Sequence, residues 1–386
     1  MKGQKQSEKR LTVIFLMIIF LFTGISMVSA KKTFSESENR YLQKKPVFTM
    51  EHLLNGTYAT EYELYLSDQF PGRNQWISVK VFAERAQGKN DVNGVYIGKD
   101  QYLIEKFDRE DLTGERLSKN LTAIGTFIET MKAQVGNTHV KVMAVPSTAQ
   151  IMKHKLPEYA SPYDQSEIQT EVQNLYGKET VVPVQEMLDL HREEPLYYKT
   201  DHHWTTLGAY YGYCIWADTV GQSPWKPEIF HIQTVSRNFY GTVYSKLNVP
   251  HKGDHIEIYQ PIKDTVYQVY YDGSQQPVEE LYNWKALNGK DKYSVFLDGN
   301  HGLAVIENKT DDPDIKGRKL LIVRDSFAHS FAPFAVNHFE TTYLVDLRYF
   351  NISTKNFAAE HGVTDVLLLY QIPSLATEKI AEKINR

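Results

Sequence analysis

RKLLIVRDSF, residues 318–327, is the stretch on which the fold is read. Its apolar run, Leu320 to Val323, stops abruptly on Arg324, Asp325 and Ser326. A short continuous apolar run ending in polar residues is the pattern of a parallel strand buried on both faces. Behind it, SFAPFAVNHF (330–339) reads as a helix and TTYLVDL (341–347) as the next strand.

The same alternation extends both ways. LSKNLTAIGTFIETMKAQVG (117–136) is an amphipathic helix with Leu121, Ile124, Phe127, Ile128 and Met131 on one stripe. It leads into the apolar strand HVKVMAVPS (139–147). IQTEVQNLYGK (168–178), TVVPV (180–184) and VQEMLDLHREE (184–194) follow as helix, short strand and helix. TDVLLLY (364–370) and LATEKIAEKINR (375–386) form a last strand and helix. This order predicts an α/β domain, a mostly parallel sheet with helices on both faces. Ligands of such sheets bind beyond the carboxyl ends of the strands. Ser326, Pro146-Ser147, Asp346 to Arg348 and Tyr370-Gln371 all fall at such ends.

The second polar stretch is YYKTDHHWTTLGAY (197–210), with Asp201, His202 and His203 at its centre. A serine hydroxyl is a poor nucleophile until a base takes its proton and a third group fixes that base's tautomer. Asp201 and His203, two apart, share a face in extended backbone or meet across a short turn. Asp201, His203 and Ser326 are therefore the candidate acyl-transfer set, with backbone N–H groups of the turn after LLIV receiving the oxyanion. Plainer readings stand beside it. Asp325-Ser326 also fits a helix N-cap, and the DHH run a solvated turn or a divalent-metal site. His329, one helical turn past Ser326, is a rival base. No second Asp/His cluster at metal-ligand spacing accompanies the DHH run.

A formal charge of −4 with scattered lysines and acids leaves no basic footprint for nucleic acid. The single cysteine, Cys214, lies in an apolar helical pattern after Trp204, so no internal disulfide can form. Lys2, Lys5, Lys9 and Arg10 precede an apolar run from Leu11 to Val28 and the small residues Ser29-Ala30. Residues 1–30 thus read as a signal peptide or a membrane anchor, with the rest of the chain outside the cytoplasm. Residues 31–90 read as a helical N-terminal segment interrupted at Pro71-Gly72. Residues 91–386 form the main domain, beginning with a hairpin over 93–107 and carrying a β-rich antiparallel insertion at about 224–304.

TDHHWTTLGAY (200–210), followed by RDSF (324–327) and LVDLRYF (344–350), resembles the DHHW family of exported bacterial proteins. YLSDQFPGRNQWISVK (65–80) is also similar to a stretch that precedes the catalytic domain there. That family is similar to the alginate O-acetyltransferase branch of the SGNH hydrolases. The resemblance implies a three-layer α/β/α SGNH-hydrolase-like domain. Its D-x-H motif falls on Asp201 and His203 and its nucleophile on Ser326. Arg324 stands where the broader SGNH signature has a glycine before Asp-Ser, so oxyanion-hole assignments do not carry over. Arg348, Tyr370, Gly299 and Asn300 are the candidate substrate or oxyanion binders. Read alone, Arg348 fits an ion pair and Gly299-Asn300 a turn. The implied task is acetylation of an exported or cell-envelope polysaccharide through an acetyl-serine. A membrane-bound O-acyltransferase supplies the acetyl group, and no cofactor or metal is expected. A carbohydrate acetylesterase with the same residues and a non-catalytic glycan-binding or export scaffold are the alternatives.

Overall fold

The computed structural model describes residues 2–35, 40–263 and 265–386. Residues 1, 36–39 and 264, which fall in the expected leader, helical segment and β-rich stretch, lie outside the described residues. The chain divides into two compact units, Met1–Lys89 with Ser245–Val249, and Asn90–Tyr244 with Pro250–Arg386.

The first unit holds α1 (Lys2–Val28), β1 (Phe34–Ser35), β2 (Arg40–Tyr41), α2 (Met50–Leu54), α3 (Thr57–Asp68) and α4 (Arg73–Ala86). Within α1, Gln6–Val28 is long and apolar enough to cross a membrane. The expected all-helical reading of 31–90 is corrected at its start, where β1 and β2 pair antiparallel. Phe34 and Tyr41 face each other there, rings edge-on at 5.3 Å, and such cross-strand aromatic pairs favour a ribbon. The break expected at Pro71-Gly72 separates α3 from α4, with Gly72 left-handed at φ 68°.

The second unit opens with the meander β3 (Asp91–Val92), β4 (Val95–Ile97) and β5 (Leu103–Glu105). Then come α5 (Arg109–Leu112), α6 (Glu115–Val135), β6 (Val140–Val145), α7 (Thr148–Ile151), α8 (Ser166–Tyr176), α9 (Val184–Leu190) and α10 (Thr206–Thr219). β7 (Phe230–Phe239), α11 (Thr242–Ser245), β8 (Asp254–Pro261), β9 (Tyr267–Tyr271) and β10 (Leu303–Asn308) follow. β11 (Lys319–Arg324), α12 (Ala328–Ala335), β12 (Thr341–Val345), α13 (Thr354–Glu360), β13 (Asp365–Gln371) and α14 (Ile372–Thr377) complete the chain.

The central sheet is mixed and mostly parallel, in the order β6-β13-β11-β12-β10-β9. β6, β13, β11 and β12 run parallel, while β10 and β9 are antiparallel additions at one edge. Residues of the parallel strands alternate between two apolar cores. Leu320, Ile322, Leu344, Leu367 and Leu369 pack with α10 and α12. Leu321, Val323, Val345, Val366 and Leu368 pack with α6, α8 and α13. Strands covered on both faces need apolar residues at every position, which is why these runs are continuous.

Three expectations change. The β-rich stretch is not one insertion: β7 and β8 form their own two-stranded sheet, whereas β9 and β10 join the central one. β10, paired to β12 on one side and β9 on the other, buries Ala304, Ile306 and Asn308 in alternation, as an antiparallel strand with one wetter face does. TVVPV contributes a single parallel bridge, Val142 to Val181. The last helix is α14 alone, because Asn120 intercepts its end. The Asn120 amide donates to the Leu375 and Glu378 carbonyls at 2.8 Å and accepts from the Ala381 N–H at 2.9 Å. The chain then turns to bury Ile380 and Ile384.

Candidate active site

The DHHW stretch is a closed loop. Tyr197 and Trp204 bridge its base, and the Thr205 N–H bonds the Leu196 carbonyl at 2.8 Å. Asp254, the first residue of β8, holds the tip by accepting from the Lys199 N–H (2.9 Å), the Thr200 N–H (2.8 Å) and the Thr200 hydroxyl (2.5 Å). Burial pushes the Asp254 carboxyl up, against the opposing pull of those bonds. The fully buried indole of Trp204 donates to the Phe327 carbonyl at 3.0 Å and so ties this loop to the turn after β11. A Cβ on Gly212 of α10 would lie 2.8 Å from that indole, so the glycine makes room for it.

At the other side, Asp325 builds the turn. Its carboxylate accepts from the Phe327 N–H at 2.9 Å and the Gln371 N–H at 2.8 Å, pinning the tip of β11 to that of β13. The turn is thus held without the Ser326 hydroxyl. From Leu320 to Phe339, every residue is buried except Ser326.

The two sides meet in a hydrogen-bonded series. Oδ1 of Asp201 accepts from His203 Nδ1 at 2.5 Å and from the His203 backbone N–H at 3.1 Å, so the short turn rather than extended backbone joins them. With Nδ1–H so engaged, His203 Nε2 is an acceptor, and the Ser326 hydroxyl lies 2.6 Å from it. Oδ2 of Asp201 accepts from the Thr242 N–H (2.8 Å) and hydroxyl (3.0 Å). His202 lies beside this series. Its ring lies 3.9 Å from that of His203, and its Nδ1 is 2.9 Å from the Thr242 hydroxyl oxygen. Tyr293 stacks flat on His203, centroids 3.9 Å apart, and donates its hydroxyl toward the Ser326 carbonyl at 3.2 Å.

Burial by itself would raise the Asp201 carboxyl. The two imidazoles beside it and the bonds from His203 and Thr242 outweigh that and hold it well below the carboxylate range. Burial lowers the His203 imidazole, His202 adds to this, and Asp201 opposes it, leaving a neutral ring below its ordinary 6.5. A neutral, oriented imidazole with an accepting Nε2 on a hydroxyl is the arrangement general-base catalysis requires.

Thr242, Gly241 and Tyr293 are the residues that sequence reading missed. Each belongs to the stretch read as an insertion, and none has a spacing that ties it to Asp201. Gly241 is held to the site by close approach: a Cβ there would lie 2.2 Å from Cβ and Oδ2 of Asp201. Gly241→Ala is expected to displace the carboxylate. Overpacking of this kind costs about 1–3 kcal/mol, and a misplaced orienting group about 10²-fold in rate. Thermal unfolding together with kcat/KM checks this, and an alanine variant with unchanged kinetics refutes it.

The other candidates are placed differently. His329 is buried with neither ring nitrogen hydrogen-bonded, and burial and then Arg324 hold it neutral. It does not engage the Ser326 hydroxyl. Arg348 grips Asp346 through Nε (2.9 Å) and a terminal nitrogen (2.6 Å), and the latter also donates to Asn300 at 3.1 Å. Arg324, itself buried, reaches the same Asp346 at 3.3 Å and the His301 carbonyl at 3.3 Å. Arg348 and Asn300 therefore meet each other, with no hydrogen bond to Ser326. Gly299 lies in a left-handed turn at φ 80°. Tyr370 is enclosed on the β13 face that carries Val366 and Leu368, and its hydroxyl has no hydrogen-bond partner. Asp201, His202 and His203 offer ligand atoms within 4.8 Å of one another. A cation there would have to displace the bonds to Ser326 and Thr242.

The family model described as DHHW protein matches residues 118–345, more than half of the chain. No curated protein matches the sequence. A DHHW family protein from Eubacterium siraeum is similar in structure with TM-score 0.64 at 23% identity, over 77% of this chain and 97% of that one. Bacillus cereus PatB1 with a sulfonyl adduct matches with TM-score 0.59 at 19% identity, over 77% and 99%. The O-acetyltransferase domain of Pseudomonas putida AlgJ matches with TM-score 0.44 at 13% identity, over 74% and 93%. The first two likenesses show that the fold is shared.

Proposed function

The chain belongs to the DHHW protein family, and from that premise we propose that it is an extracytoplasmic, serine-dependent O-acetyltransferase of an exported or cell-envelope polysaccharide. The observation that carries the reading is the 2.6 Å approach of His203 Nε2 to the Ser326 hydroxyl, with Asp201 behind the ring. Its fold is of the three-layer SGNH-hydrolase-like kind, and residues 91–386 form the catalytic domain, with 31–90 as an N-terminal segment. The apolar helix Gln6–Val28 supports export, as a cleaved leader or a retained anchor.

In the first half-reaction His203 takes the Ser326 proton as the oxygen attacks the acetyl carbonyl, then returns it to the leaving group. The Phe327 N–H is already given to Asp325, and the Ala328 N–H to the Asp325 carbonyl. This leaves the Ser326 N–H as the donor of the turn for the oxyanion. In the second half-reaction a sugar hydroxyl loses its proton to His203 and attacks the acetyl-serine, and His203 hands that proton to the departing Ser326 oxygen, restoring the hydroxyl. On this reading the partly exposed Arg348, oriented by Asp346 and Asn300, receives a polar substituent of the glycan. The acetyl donor is a membrane-bound O-acyltransferase that delivers the group from the cytoplasmic side.

An acetylesterase would use the same three residues, with water as the acceptor. Incubation with a chromogenic acetyl ester and an oligosaccharide separates the two. Acetylated sugar is expected; release of acetate alone, at every acceptor concentration, would assign the esterase instead. PatB1 carries a sulfonyl adduct, and a sulfonyl fluoride is expected to modify this chain on the peptide containing Ser326.

A further inference from the structure

The N-terminal unit carries an apolar face that stays largely exposed. In α4, Trp76, Val79, Phe82, Ala83 and Ala86 recur at helical spacing on one side. Trp76, Val79 and Phe82 are 48%, 55% and 51% exposed, while Val81 on the other side is buried. α4 is thus apolar on two sides, and only one is covered. Just before it, Leu66 and Phe70 are 48% and 41% exposed.

Contacts to α1 indicate what covers this face. The Phe22 ring packs on Phe70 at 5.3 Å and on Trp76 at 5.7 Å. The Gln69 amide closes the junction, accepting from the Lys32 N–H at 3.0 Å and donating to the Lys32 carbonyl at 2.8 Å. Phe22 lies inside the apolar span Gln6–Val28. At helical rise it sits about 9 Å from the Val28 end. The Phe70–Trp76 corner is therefore level with the last two turns of a membrane-length helix. Amphipathic helices that lie on bilayers seat their apolar faces about 5–10 Å into the headgroup–acyl boundary, where tryptophan concentrates. The two depths agree.

We propose that α4 and the corner preceding it lie in the outer-leaflet interface of a phospholipid bilayer, with Phe70, Trp76, Val79 and Phe82 in the acyl boundary. The proposal rests on α1 as a membrane-inserted leader and adds to it a second, peripheral attachment. An interfacial seat accounts for an amphipathic helix that keeps large apolar residues on its open side.

The test uses the full chain with Cys214→Ala, in vesicles of phosphatidylcholine and phosphatidylglycerol that hold no other protein. A nitroxide is attached singly at Phe15→Cys in α1, at Val79→Cys, or at Arg85→Cys, which is exposed away from the apolar stripe. Power-saturation electron paramagnetic resonance then compares collisions with oxygen and with an aqueous nickel chelate. The Phe15 and Val79 labels are expected to favour oxygen severalfold, and the Arg85 label the nickel chelate. A Val79 label as open to nickel as Arg85, with Phe15 protected, overturns the interfacial seat and leaves the leader reading intact. A Phe15 label open to nickel overturns both. Spin–spin broadening between Val79 labels at high lipid excess would show a second copy on this face and also overturns the proposal.

Discussion

Ser326→Ala is expected to lower kcat/KM on an acetyl ester by about 10⁴–10⁶-fold, the range for loss of a nucleophile that acts as a unit with its base. The melting temperature should barely change. The hydroxyl makes its hydrogen bond to His203, while the Asp325 carboxylate holds the turn through Phe327 and Gln371. Surface-accessible substitutions that leave such supports in place stay within about 0.5 kcal/mol. His203→Ala should cost a similar factor, and the double variant little more, because either loss already removes the activated oxygen. His202→Ala should be milder, since its Nδ1 faces Thr242 rather than Ser326. Acetylation of the glycan in cells that persists with Ser326→Ala would favour the scaffold reading. Loss of activity in His202→Ala with His203→Ala active would reassign the base.

What could be read from sequence divides by the range of the forces involved. The parallel strands were legible because burial on both faces forces continuous apolar runs, as in Leu320 to Val323 and Val366 to Leu369. The polar residues that end those runs marked the sheet edge where Ser326 sits. Asp201 and His203 were legible as a pair because two residues and a turn suffice to join them. Residues 224–304 were read as one insertion, since β-rich runs look alike in sequence whether they join the central sheet, as β10 does, or pair in a sheet of their own, as β7 and β8 do. Thr242 and Asp254 lie 41 and 53 positions beyond Asp201 in the chain, and only tertiary folding sets their carboxylate and amide contacts. Arg348 and Tyr370 show the same limit: both stand at strand ends, yet one is turned toward Asp346 and stays partly exposed while the other is enclosed. A sequence gives position along a strand more readily than the direction in which its terminal side chain turns.

Asp201→Asn should reduce kcat by about 10⁴-fold while the chain stays folded, as loss of the orienting carboxylate does when geometry is otherwise kept. The asparagine carbonyl can still accept from the Thr242 N–H, which now lies 2.8 Å from Oδ2. If the amide then faces the ring, His203 Nδ1 becomes an acceptor and its proton moves to Nε2, which leaves the Ser326 hydroxyl with no base. The pH dependence distinguishes this from simple misfolding. If His203 is the base, as proposed, the acid limb of kcat/KM in the native protein should fall below 6.5, since burial and His202 outweigh Asp201. Removing the negative charge takes away the one large influence that favours the imidazolium. The acid limb of the residual activity should therefore move to still lower pH. Stability carries the opposite signature. The depressed Asp201 carboxyl stabilises the fold above its unfolded value of about 4, and that contribution is lost as pH falls toward the folded value. Melting temperatures of the two proteins should thus lie apart at neutral pH and converge on acidification. An acid limb that moved upward in Asp201→Asn would mean that the carboxylate does not act through His203 at all.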